Sequence, residues 1–149
     1  MKTLEQERSN YAFECISEIK GKDFEKDASS LIAKLGTLIL TNGLGNTLAF
    51  LFSKANSKAN QNHHLETKPK NHHLEIIVIM SNWLYKLEGQ NKEVNSSNVK
   101  EKIDQIMGDF VLNVDVEKYM YYTDEALRLI NWLRRFSDAM LESGGENND

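Results

Sequence analysis

The chain of 149 residues has one cysteine, one proline and eight glycines. Each scarcity closes off a class of architecture. A lone Cys15 excludes an intrachain disulfide and suits a reducing compartment. So little Pro and Gly leaves scant material for the tight turns of an all-β fold, and points to helices. The longest apolar run, Leu38 to Phe52, is interrupted by Thr, Asn and two glycines and falls short of the ~20 residues that cross a bilayer. The opening "MKTLEQERSN" is polar and lacks the apolar stretch of a signal peptide, so a cytoplasmic protein without membrane contact is expected. No charge sign dominates, since the net charge is −4. Residues 1–100 carry 13 basic and 11 acidic groups and residues 101–149 carry 5 and 11, which leaves room for a one-sided basic surface.

What the sequence does have is helical periodicity. Leu4, Tyr11, Ala12, Cys15, Ile16 and Ile19 form a first stripe that Gly21 stops. Phe24, Ala28, Leu31, Ile32 and Leu35 form a second, shorter one, closed by Gly36. "TLILTNGLGNTLAFLFSK", Thr37 to Lys54, reads as a third helix in which Thr37, Thr41, Gly45 and Ala49 repeat as a stripe of small side chains beside Leu40, Leu44, Leu48 and Leu51. Each glycine costs such a helix about 1 kcal/mol relative to Ala. Close approach of another helix backbone at the small stripe is the expected compensation. A phosphate-binding GxGxxG is disfavoured, because no strand precedes it and Leu48 stands where its third glycine belongs.

Residues 54–73 are polar, hold the only proline and read as a long surface loop. A helix then runs from Leu74 to Leu87 before Gly89. Another starts with a capping-box-like Asn98 and Glu101 and continues through Val99, Ile103, Ile106 and Phe110. The last is expected from a Thr123 cap, with Asp124 and Glu125 in its first turn and a core face of Ala126, Leu129, Ile130, Leu133, Phe136 and Met140. Residues 1–145 thus read as a single all-α helical bundle of five to six helices, and 146–149 as a disordered tail.

Chemistry is sparse. "NHHLE" occurs twice, at Asn62–Glu66 and Asn71–Glu75, and offers imidazoles and carboxylates to zinc or nickel. Adjacent histidines in a loop lack rigid support, so a solvated loop outweighs a metal site. Cys15 lies on an apolar stripe and reads as a small core residue. No nucleophile elbow appears, and no catalytic centre is visible. Trp83 and Trp132 fall on core stripes, whereas Tyr119, Tyr121 and Tyr122 suit either an interface or a cover for the last helix. Arg8 stands between Leu4 and Tyr11, its stem running past the core edge or its charge aimed at a partner. Arg128 and Arg134 or Arg135 have Asp124 and Asp138 at ion-pair spacing.

Three blocks taken together, "ERSNYAFECI", "LILTNGLGNTLAFLFSK" and "TDEALRLINWLRRFSDAML", resemble the small α-helical subunit of the Cmr complex, the type III-B CRISPR effector. With the intervening "SNWL" helix they cover most of the chain outside the loop and tail. Gly36 departs from a helix-initiating proline common in that family, which implies a looser junction there, and the Asn- and His-rich loop has no counterpart. The resemblance implies a non-enzymatic subunit with no cofactor or metal, stacked in a filament with copies of itself beside other Cmr-type subunits and touching target RNA in antiviral defence. Carried over block by block, Arg8, Lys54, Arg134 and Arg135 are the expected RNA-binding residues. Two rivals are a generic all-helical protein-protein adaptor without RNA contact and a small metal-dependent enzyme built on the histidine pairs.

Overall fold

A computed structural model describes residues 1–56 and 71–143. The expected tail and most of the expected loop, with His63, His64 and Glu66, lie outside them. The elements are α1 (Leu4–Ile19), α2 (Glu25–Ala55), α3 (His72–Leu87), a short 3-10 turn (Val99–Lys102), α4 (Ile103–Met107), a π turn (Gly108–Leu112) and α5 (Val116–Met140). No strand occurs among the described residues, and the fold is all-α. Thr3 and Gln6 close a reciprocal capping box at the start of α1, satisfying two backbone donors that a helix end otherwise leaves open. Packing of α2 on α3 and α5, and of α1 on α5, gathers Ile16, Ile32, Leu35, Leu44, Leu51 and Leu133 into one apolar core.

Several boundaries differ from those read in the sequence, each for a local reason. The chain does not turn at Gly36; α2 passes through it, and a Cβ there would meet nothing within 4 Å. The break falls at Gly43, whose φ of 89° lies in the left-handed region open to glycine. Of the small stripe only Gly45 is buried, while Thr37, Thr41, Ala49 and the neighbouring Leu40 are exposed. What approaches Gly45 is a pair of side chains, not a helix backbone. A Cβ on Gly45 would sit 2.8 Å from Val111 Cγ1, and its N–H donates to the Tyr119 hydroxyl at 2.8 Å. That bond serves a backbone donor that the break deprives of its helical partner.

Both ends of the stretch expected as a loop are helical, because α2 runs to Ala55 and α3 starts at His72. Asn98 makes no side-chain cap on the segment that follows. Its Oδ1 accepts from Asn95 N–H, and a 3-10 turn replaces the expected helix start. α5 begins two turns before Thr123, capped by Asp115, whose carboxylate accepts from Lys118 N–H at 2.9 Å. Thr123 is therefore mid-helix and bonds back to the Tyr119 carbonyl. At 31 residues α2 is long and apolar enough, by length and composition alone, to span a bilayer. Its break at Gly43 and its buried Leu31, Ile32, Leu35, Leu44, Leu48 and Leu51 account for that apolarity within the bundle.

Candidate nucleic-acid interface

The four cations expected to meet RNA come to rest in different surroundings. Arg8 is inside. Its Nε and Nη2 donate to Glu125 Oε1 and Oε2 at 3.1 and 2.8 Å, and both side chains are about nineteen-twentieths buried, with 6% and 5% exposed. Trp83 Nε1 adds a third bond to Glu125 Oε1 at 3.2 Å. The bidentate fork matches a planar guanidinium to a carboxylate and ties α1, α3 and α5 together. Arg8 therefore neither snorkels past the core edge nor points outward: Glu125, two residues beyond the expected cap, draws it in.

Lys54 occupies the last turn of α2, exposed, with its ammonium 5.7 Å from the centre of the Phe50 ring. The two halves of α2 bring Lys34 and Lys54 within electrostatic reach of His73, in the first turn of α3. Burial of the imidazole, then the neighbouring His72, then the charges of Lys54 and Lys34 push His73 down to about 4, against an upward pull from Asp27. At neutral pH this corner therefore carries its positive charge on the lysines. Its convergence across the Gly43 break had no signal in the sequence, because Lys34 and Lys54 are 20 residues apart.

Arg134 reaches the first half of α2, before the Gly43 break. Its Nη1 donates to the Ala33 carbonyl at 3.1 Å, and its Nε lies 4.0 Å from Asp138. Arg135, one residue step around α5, is exposed and forms no ion pair with a described residue. Arg128 is held by Asp124 at 2.8 Å, as the spacing predicts. Lys54 thus sits at the far end of α2, Arg134 is tied to its first half, Arg135 is exposed on α5, and Arg8 belongs to the core.

Other candidates resolve more simply. His72 and His73 stack at 4.1 Å between ring centres in the first turn of α3. Among the described residues no group of three or more His, Cys, Asp or Glu is gathered to hold a metal ion. Burial pushes the Cys15 thiol up to about 12, which leaves it a poor nucleophile. Trp83 is fully buried, and Trp132 is half-buried and stacked on Phe136. The three tyrosines take separate places, two of them inside the bundle and not at an interface or helix cover. Tyr122 enters the core, Tyr119 serves Gly45, and Tyr121 is exposed.

These features define a small all-α protein with lysine and arginine side chains displayed on α2 and α5. The sequence matches the family described as CRISPR-associated protein (Cas_Cmr5) over residues 4–140, and the chain belongs to that Cmr5 family. Its fold is similar to the X-ray crystal structure of a CRISPR-associated Cmr5 family protein from Thermus thermophilus. The TM-score is 0.63 at 20% identity, over 95% of this chain and 100% of that one. At that identity the likeness speaks for the fold.

Proposed function

We propose that this chain is a non-catalytic small subunit of a type III-B CRISPR ribonucleoprotein effector. In this reading it acts in the cytoplasm in antiviral defence, stacks with copies of itself beside the larger subunits, and supports the binding of target RNA. The observation that carries the reading is the family match from residue 4 to residue 140, which takes in every helix among the described residues. The exposed Lys54, Arg134 and Arg135 supply the RNA-facing charge. Arg8 is left out because Glu125 neutralises it. Contacts of this kind read phosphate and not base, so sequence information stays with the guide. The chain's net charge of −4 fits weak contacts summed over several copies better than strong binding by one.

The test is charge reversal in the assembled complex. Lys54→Glu with Arg135→Glu is expected to weaken target RNA capture, more so at low salt, and to leave guide RNA loading unchanged. Unchanged capture at low salt overturns the RNA-facing assignment and leaves the scaffold. A second reading, a helical adaptor without RNA contact, draws on the exposed Leu40, Val116 and Met120. It predicts no salt-sensitive crosslink from any of these cations to RNA.

A further inference from the structure

One end of the bundle is built unlike the basic corner at the start of α3. Where Tyr119 bonds Gly45 and Val111 abuts it, the segments that meet expose Leu40, Leu112, Val116, Met120 and Tyr121. Val116 and Met120 are one turn apart on α5, 68% and 64% exposed, and so form a row on one face. Single exposed apolar side chains, such as Leu4, Phe13 and Ile103, are ordinary on a surface, but several at one end mark a contact. Beside the row runs a groove of about 540 Å³ between the end of α3 and the start of α5, lined by Leu87, Glu88, Asp115, Glu117, Lys118 and Tyr121.

The charges around the row select the occupant. Glu88, Asp115, Glu117 and Asp124 stand against two cations, Lys118 and Arg128, which leaves a net −2. Lys118 is held by Glu88 at 3.2 Å and Arg128 by Asp124 at 2.8 Å, and Glu117 projects into solvent at the groove. A phosphate backbone is repelled by such a rim, and so is an anionic membrane surface. Two copies meeting here about a two-fold axis would set carboxylates against carboxylates. The complement is a protein surface carrying lysine or arginine next to apolar side chains.

We infer that the apolar row Val116–Met120 and its acidic groove form a docking face for a basic, apolar-bearing segment of a different protein subunit. This rests on the reading of the chain as part of a multi-subunit effector and adds a division of labour. α3, 16 residues long, separates the two ends by about 24 Å, with His73 and the lysines at one and Leu87 and the groove at the other. One end faces polyanion and the other faces cationic protein.

The experiment uses the reconstituted effector. A photo-crosslinking p-benzoylphenylalanine replaces Val116, and the captured peptide is sequenced by mass spectrometry. A peptide from another subunit with lysine or arginine beside apolar residues is expected. Capture of RNA, of a second copy of this chain, of an acidic peptide, or of nothing overturns the proposal. In parallel, Met120→Ser with Glu117→Lys is expected to weaken joining to the complex about tenfold at moderate salt, as loss of a central contact does, with melting temperature and target RNA capture per incorporated copy unchanged. Wild-type joining by this variant also overturns it. Failure of the wild-type chain to join any such complex overturns the underlying reading as well, which separates the two failures.

Discussion

Arg8 and Arg135 are the same side chain read from the sequence as the same thing, and the bundle puts them to opposite uses. Arg8 lies on α1 with its guanidinium closed on Glu125, while Arg135 lies on α5 in solvent. Gly36 and Gly45 repeat the contrast within α2. A side chain added at Gly36 meets nothing within 4 Å, and one added at Gly45 meets Val111 at 2.8 Å. In both pairs the residue type is matched, and the difference comes from an element far away in sequence. A role is assigned by what packs across, which periodicity along one helix does not encode.

The contrast can be broken most forcefully at the buried pair. Glu125→Leu leaves Arg8 charged and unpaired inside, and Arg8→Met strands Glu125; either is expected to cost about 3 to 5 kcal/mol in urea unfolding. Next comes Gly45→Leu, which overpacks the contact with Val111 and Tyr119 and is expected to cost about 1 to 3 kcal/mol despite better helix propensity. A more stable Gly45→Leu protein would show the contact to be slack. Gly36→Ala has the opposite sign. The open site gains helix propensity without a clash, and thermal melting is expected to show about 0.5 to 1 kcal/mol of stabilisation.

A gentler effect comes from His73. Its folded value of about 4 lies below the usual 6.5 of an unfolded histidine, so the folded state takes up its proton less readily. Stability from this group is complete above pH 6.5 and falls as the pH drops from 6.5 toward 4. His73→Gln is expected to flatten that part of the curve, and an unaltered slope would show the imidazole to be solvated. Lys54→Glu and Arg135→Glu should move stability least, by no more than about 0.5 kcal/mol each, because exposed charges seldom matter more.

The parts legible in the sequence were those governed by local pattern. The start and stop of α1, the stripe of α3 ending before Gly89, and the Asp124–Arg128 pair all follow from spacing on a single helix. The resemblance carried by three blocks agreed with the family match over residues 4–140. The break in α2 was misplaced because a glycine that closes a helix and one that a helix passes through look alike. What separates Gly36 from Gly43 is Tyr119, 76 residues beyond Gly43, whose hydroxyl serves the backbone just past the break. Thr123 followed by two acids resembles a helix start, and only the course of the chain from Asp115 shows otherwise. Glu125 gave no sign of burial, since its partner is 117 residues away. For the same reason the basic residues could be enumerated from the sequence but not sorted into inner and outer.

The most direct test of that sorting is target RNA capture at low salt by fully assembled effectors carrying one of two double variants. Arg8→Met with Glu125→Gln removes the interior charges together and keeps an acceptor for Trp83 Nε1, so the chain is expected to fold. Lys54→Glu with Arg135→Glu reverses the exterior cations. The account predicts wild-type capture by the first complex and weakened capture by the second. Weakened capture by the first with wild-type capture by the second would contradict it, placing the RNA-facing charge at Arg8 and not on the outer faces of α2 and α5.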